Sequence, residues 1–101
     1  MNKVIKGKKY DTELAKKVGS HSDGEEYLWI VNEELYQKDN GEFFLYGEAV
    51  CDPDCYDDCF MRYPWVWTGN FKPLSTDQAK EWVERFLTAD EYETLFGEVK
   101  E

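Results

Sequence analysis

The feature of this 101-residue chain that most resembles a chemical site is a set of three regularly spaced cysteines, Cys51, Cys55 and Cys59. Three residues separate each neighbouring pair, within the range of about two to four that is usual between cysteine ligands of structural zinc. A fourth ligand would have to come from His21 or a nearby aspartate, and nothing in the sequence brings His21 close. Iron–sulfur sequences have a different spacing.

The same cysteines also fit a purely structural role. If Pro53 begins a short helix, Cys55 and Cys59 lie one turn apart on one side of it, and free cysteine is among the most buried residue types. Three thiols in one chain do not form a disulfide framework, which needs an even number. The sequence therefore favours buried thiols and no cofactor. A zinc or redox site on the three cysteines is the alternative.

Enzymatic chemistry has little support in the residue types present. Nucleophilic hydrolysis needs a base, and His21 is the single histidine, in a polar segment. Adjacent carboxylates are frequent, but in a chain with 22 acidic residues such pairs arise by chance. There is no glycine-rich phosphate loop and no calcium-binding loop. We therefore expect no catalytic residue and a protein that is not an enzyme.

The charge is large and unevenly distributed. The formal net charge is −10, and residues 23–60 hold twelve acidic side chains against one lysine, whereas residues 1–22 are net basic. A negative field repels nucleic acids and membrane surfaces and attracts basic protein grooves. Solubility alone is the alternative explanation. The chain has no apolar run of about 20 residues and no signal peptide, so we expect a cytoplasmic protein.

The first half of the chain is predicted to form strands and one helix. Residues 3–10 predict a strand broken by a turn at Gly7, and Asp11 is suited to begin a helix that ends at Gly19. Residues 20–26 have the composition of a loop. Residues 27–36 and 42–50 predict two strands joined by a hairpin turn at Asn40-Gly41, with a bulge near residues 32–34.

The second half predicts one further strand between helices. Asp52-Pro53 would begin a helix over residues 52–61, and residues 63–72 resemble a strand with Pro64 at an edge position. Ser75 and Thr88 each begin a capping-box sequence, so two helices with apolar faces follow. The prediction is a single domain over residues 1–101 of the α+β class. Its order is β-α-β-β-α-β-α-α, with a small, mostly antiparallel sheet and C-terminal helices packed on one face.

Three stretches carry a family resemblance: IKGKKYDTELAKKVG, EELYQKDNGEFFLYGEA and PLSTDQAKEWVERFLTADEYETLFGEV. Together they resemble a family of small acidic proteins of phages, plasmids and integrated elements of Gram-positive bacteria, some of which are regarded as anti-CRISPR proteins acting on Cas9. Residues 51–72 depart from that family, which is rich in glycine and serine there. The resemblance implies a non-enzymatic inhibitor of a nucleic-acid-handling defence complex.

Charge and resemblance lead to one functional hypothesis. An acidic domain can occupy a lysine- and arginine-lined channel by placing carboxylates where phosphates would lie. The expected partner is therefore a basic nucleic-acid-binding protein or ribonucleoprotein, such as Cas9. The expected contact residues are the central carboxylates and two tryptophans that can act as hot spots if exposed. They are Asp52, Asp54, Asp57, Asp58, Glu25, Glu26, Glu33, Glu34, Trp65 and Trp67.

Overall fold

A computed structural model of the chain describes residues 1–25, 29–51, 61–67 and 69–100, with only the backbone of Glu25 and Trp67. The predicted α+β class is confirmed. In the described ranges, six strands form two antiparallel sheets, of two and four strands, and the helices lie mostly towards the C-terminus. The elements are β1 (Asn2–Ile5), β2 (Lys8–Asp11), β3 (Lys16–Glu25), β4 (Trp29–Gln37), β5 (Phe43–Cys51), α1 (Pro64–Trp67), β6 (Phe71–Leu74), α2 (Thr76–Phe86) and α3 (Ala89–Phe96).

The turn predicted at Gly7 joins two strands rather than interrupting one. Lys6 and Gly7 have φ angles of 51° and 79°. Two successive positive φ angles are characteristic of the type I′ turn, whose twist matches that of a two-stranded hairpin. Strands β1 and β2 therefore pair as a separate antiparallel ribbon.

The helix predicted from Asp11 is wrong. The Asp11 carboxylate accepts the N–H of Glu13 at 2.9 Å and its carbonyl accepts the N–H of Ala15 at 3.1 Å, which closes a single turn. Strand β3 then begins at Lys16 and includes most of the segment predicted as a loop. A segment this short and poor in apolar residues gains little as a helix, whereas pairing with β4 satisfies its backbone along ten residues.

The central hairpin of β4 and β5 is confirmed, and its predicted bulge is not. Gly41, with a φ of 91°, donates its N–H to the Lys38 carbonyl at 2.9 Å and closes the turn. Strand β4 pairs with β5 without a shift in register. The irregularity lies in β3, between Lys17 and Gly19. Strand β4 keeps its alternation because Glu33 occupies an inward position that a hydrophobicity pattern assigns to an apolar residue.

The four-stranded sheet has the order β3-β4-β5-β6 and is covered by helices on one face. On this helix-covered face, Leu35 and Leu45 pack against Ala79 and Val83 of α2. Trp29 and Val31 continue the same face and pack against Val66 of α1. Burying such side chains contributes about 1.5–3 kcal/mol each.

The opposite face is covered only in part, by the β1–β2 hairpin. Tyr10 of β2 is 4% exposed and meets the ring of Phe44 edge-on at 5.4 Å. Tyr36 also stacks on Phe44, with ring centres 5.3 Å apart. Further along, Ile30 and Val50 are paired across β4 and β5 and are 52% and 78% exposed.

The strand predicted over residues 63–72 is only partly correct. Pro64 begins the one-turn helix α1, where a proline is favoured because the first N–H of a helix has no partner. The strand of this region is β6, which lies at one edge of the sheet and carries Pro73 instead. Of the helix predicted over residues 52–61, only Met61 lies within the described residues, and it is helical.

Both C-terminal capping boxes are confirmed. The Ser75 hydroxyl accepts the N–H of Gln78 at 3.1 Å, and the Gln78 side chain accepts the N–H of Ser75 at 2.9 Å. Thr88 and Glu91 repeat this arrangement at the start of α3. Each box satisfies two N–H groups that would otherwise lack partners.

Candidate functional site

Several of the carboxylates predicted to contact a partner fall outside the described part of the chain. Of Glu25 only the backbone is described, in β3. Glu33 and Glu34 are neighbours in β4 and therefore point to opposite faces of the sheet, so they do not form one acidic surface. The predicted contact residues that lie outside the described ranges are Asp52, Asp54, Asp57, Asp58 and Glu26.

Other carboxylates of the central segment are engaged within the fold. Glu34 forms an ion pair of 2.6 Å with Lys17, and Glu42 forms one of 3.0 Å with Lys8. The hydrogen bond from Lys8 holds the pKa of Glu42 below its ordinary value. Most described acids of this segment thus have internal partners.

Two further central carboxylates accept phenol hydroxyls. Glu48 accepts the hydroxyl of Tyr46 at 2.6 Å, and burial together with this bond raises the pKa of Tyr46 to about 12. Asp23 accepts the hydroxyl of Tyr63 at 2.6 Å, which lowers the pKa of Asp23.

Most of the exposed carboxylates without an ion pair in the described ranges lie on the two C-terminal helices. The others are Glu13, Asp39, Glu48 and Glu98. Asp77, Glu81 and Glu84 follow one stripe of α2, directly opposite the buried stripe that contains Ala79 and Val83. None of the helix carboxylates forms an ion pair with a basic residue of the described chain. We call this the acidic helix surface, and its exposed members are Asp77, Glu81, Glu84, Asp90, Glu91 and Glu93.

The periodicity of the apolar residues in the C-terminal segment does not by itself reveal this surface. Residues 61–101 have a modest net charge of −3, since five basic residues offset eight acids. Applying the helical period to the charged residues would have found the stripe of Asp77, Glu81 and Glu84.

A cleft of about 650 Å³ lies between the sheet, α1 and α2, and we call it the α1–α2 cleft. Glu33 lines it from β4, is 5% exposed, and accepts the indole N–H of Trp82 at 3.5 Å. Burial raises the pKa of Glu33, and the Trp82 hydrogen bond opposes that rise. The remaining aromatic residues that line the cleft are Tyr63, Trp65 and Phe86.

Three basic residues, Arg62, Lys72 and Arg85, also line this cleft, and they include both arginines of the chain. None of them forms an ion pair with an acidic residue within the described ranges. Arg85 lies over the ring of Phe86, with its guanidinium carbon 5.1 Å from the ring centre. The cleft therefore combines cations, aromatic rings and one buried carboxylate.

The two tryptophans predicted as contacts, Trp65 and Trp67, belong to helix α1 and not to a strand. Trp65 is half-buried in α1 and covers Gly47 so closely that a Cβ at position 47 would lie 2.5 Å from its ring. It is a wall of the α1–α2 cleft. The side chain of Trp67 is outside the description.

His21 and Cys51 do not belong to one metal site. His21 stacks on Phe86, with ring centres 3.7 Å apart. By register, Cys51 lies two strands and four residues away, which is about 16 Å between Cα atoms. Bonds to zinc of about 2.0–2.3 Å cannot bridge that separation. Cys55 and Cys59 fall outside the described ranges, and the described residues contain no group of metal ligands.

Compared with known protein families, curated proteins and solved structures, the chain matches none of them. Among the described residues, no helix has the length and apolar character that crossing a membrane requires.

Proposed function

We propose that the protein is a non-enzymatic acidic inhibitor that occupies the basic nucleic-acid channel of a defence complex, such as Cas9, in the bacterial cytoplasm. The observation that supports this most directly is the acidic helix surface. Its carboxylates are exposed and have no internal cationic partner among the described residues. The resemblance to acidic proteins of mobile elements points in the same direction.

The spacing of these carboxylates is comparable with that of phosphates. Asp77 and Glu84 are seven residues apart, and with Glu81 between them α2 presents about one negative charge per 5 Å of its axis. One strand of DNA presents one charge per about 3.4 Å. A channel lined by lysine and arginine would therefore meet a charge density of the same order.

The C-terminal helices can hold this surface in a fixed orientation. Both begin with a capping box, and α2 is anchored to the sheet through Trp82 and Val83. A preorganised row of charges loses little conformational entropy on binding. Electrostatic attraction would increase the association rate and make binding sensitive to salt. Asp52, Asp54, Asp57 and Asp58 remain proposed additional contacts.

The proposal can be tested with two double variants of equal charge. Glu84→Lys with Glu93→Lys reverses two members of the acidic helix surface. Glu13→Lys with Asp39→Lys reverses two exposed carboxylates in turns outside the helices. Each variant changes the net charge from −10 to −6. Inhibition of DNA cleavage by a Cas9–guide RNA complex is measured at low and high salt.

We expect the helix variant to inhibit at least about tenfold less well and the turn variant to inhibit like the original protein, with inhibition declining as salt increases. Equal loss in both variants would show that net charge alone matters. If the original protein does not inhibit Cas9, the same three proteins serve as baits in a bacterial lysate. Failure of the helix variant alone to retain a basic nucleic-acid-binding protein would support the surface, and equal retention would refute it.

A further inference from the structure

We propose that the α1–α2 cleft binds a guanine mononucleotide, with the base against the aromatic walls, its N–H edge on Glu33 and its phosphate on the basic residues. The cleft shares Glu81 with the acidic helix surface, but the inference does not depend on the inhibitor function. The cleft volume of about 650 Å³ is within the range of about 300–1,000 Å³ typical of small-molecule sites.

The basic residues of the cleft indicate an anionic ligand. The chain has 22 acidic side chains, yet Arg62, Lys72 and Arg85 line one cavity without an ion pair to any acid of the described segments. These three cations line the cleft against two carboxylates, Glu33 and Glu81, and the remaining positive charge favours an anionic ligand. Two of them are arginines, whose planar guanidinium groups bind phosphate through paired hydrogen bonds.

The aromatic residues of the cleft indicate a ligand that contains a planar group. Trp82 and Phe86 meet at an angle of 62° with ring centres 5.3 Å apart, so their relative orientation is set by mutual packing. Trp65 lies against the sheet at Gly47, where the absence of a side chain leaves room for its ring. Because His21 already stacks on Phe86, we place the base against the other aromatic walls, and nucleobases stack on such rings irrespective of their identity.

Glu33 provides the selectivity for the base. An ionised carboxylate only accepts hydrogen bonds, so a ligand group beside it must donate. The weak bond of 3.5 Å from Trp82 leaves acceptor capacity on both carboxylate oxygens. Guanine presents two N–H donors along one edge, which matches a carboxylate, whereas the corresponding edge of adenine pairs a donor with an acceptor.

A free mononucleotide fits this site better than the end of a nucleic-acid strand. Glu81 lines the same cleft and Asp77 lies one turn away on α2, so additional phosphates would approach carboxylates. The strongly negative charge of the whole chain also repels additional phosphates.

The test is a titration with guanosine 5′-monophosphate, followed by calorimetry and by the fluorescence of the cleft tryptophans. Guanosine, ribose 5-phosphate, adenosine 5′-monophosphate and the dinucleotide pGpG are the comparison ligands. We expect the guanine mononucleotide to bind at least about tenfold more tightly than each of them, because each lacks one of the matched groups or adds a repelled phosphate.

Variants separate the contributions of base and phosphate. Arg85→Gln should weaken binding of guanosine 5′-monophosphate about tenfold and leave guanosine unaffected. Glu33→Gln should remove the preference for guanine over adenine. Lys80→Gln removes a cation of the same helix that does not line the cleft, and it should bind like the original protein.

Three outcomes would refute the proposal: no binding of guanosine 5′-monophosphate at millimolar concentration, equal binding of ribose 5-phosphate, or equal effects of Arg85→Gln and Lys80→Gln. Tighter binding of pGpG would refute the free mononucleotide in favour of a strand end. Because Arg85 is exposed, we expect Arg85→Gln to fold. It can therefore test the proposal even if Glu33→Gln does not fold.

Discussion

The phenol of Tyr63 donates a hydrogen bond of 2.6 Å to the carboxylate of Asp23, although 40 residues separate them in the chain. Tyr63 immediately precedes α1, and Asp23 belongs to the edge strand β3. The bond therefore ties one wall of the α1–α2 cleft to the margin of the sheet. It lowers the pKa of Asp23, whereas burial, followed by the same bond, raises the pKa of Tyr63.

Removing this bond should destabilise the fold. Tyr63→Phe deletes a hydrogen bond to a charged acceptor at a partly buried position, and we expect the free energy of unfolding at pH 7 to fall by about 1–2 kcal/mol. Urea denaturation measures this value. Tyr92→Phe is the matched control, because the described residues provide no hydrogen-bond partner for the Tyr92 hydroxyl. Its effect should stay within about 0.5 kcal/mol.

The same variant should also respond differently to acid. Since Asp23 binds its proton more weakly in the folded chain, the unfolded chain takes up more protons below about pH 4, and stability declines as the pH falls through the lower folded value. Tyr63→Phe should reduce this decline, so the two proteins converge as the pH falls. A constant difference from pH 7 to pH 2 would contradict the assignment to Asp23.

Glu33 should have the opposite pH dependence. Burial raises its folded pKa, so the folded chain takes up a proton before the unfolded chain, and stability increases as the pH falls from above that raised value towards about 4.3. Glu33→Gln keeps an acceptor for Trp82 without the charge. We expect it to be more stable than the original protein at pH 7 and equally stable near pH 4. Denaturant titrations at both pH values measure the difference, and a variant less stable than the original at pH 7 would contradict the prediction.

Gly47 and Gly19 provide a comparison of rigid and adaptable neighbours. A Cβ at position 47 would lie 2.5 Å from the ring of Trp65 and 2.9 Å from a methyl group of Val66, whereas one at position 19 would lie 2.6 Å from the end of Leu87. A leucine side chain can rotate away, but an indole packed beside a helix cannot. We expect Gly47→Ala to lower the free energy of unfolding by about 1–3 kcal/mol. Gly19→Ala should lower it by a smaller amount. Thermal or urea denaturation would contradict this if the two costs were equal.

The elements predicted correctly are those whose signals are complete within a few residues. The turn at Asn40-Gly41 depends on one positive φ angle, and the capping boxes at Ser75 and Thr88 depend on residues three positions apart. The apolar period of α2 likewise repeats within the helix itself. Local chemistry is sufficient in these places because the interacting groups are already neighbours in the sequence.

Strand β3 shows where local chemistry was not sufficient. Its first residues fall in the predicted helix and residues 20–25 in the predicted loop, and all ten form a strand because β4 offers a row of backbone partners. The inward position of Glu33 could not be predicted from the sequence pattern for a related reason. A carboxylate at a buried position breaks the hydrophobic alternation, and its hydrogen bond comes from Trp82, 49 residues away.

The sequence by itself determined the acidic charge, the α+β class, the central hairpin and the two capped helices. Only the tertiary structure decided which carboxylates remain exposed and unpaired, because ion pairs such as Lys17–Glu34 form between strands. It also decided the cleft, which gathers Glu33, Arg62, Lys72 and Arg85 from β4, the segment before α1, β6 and α2. No local pattern encodes such a site, since its members become neighbours only when the helices pack on the sheet.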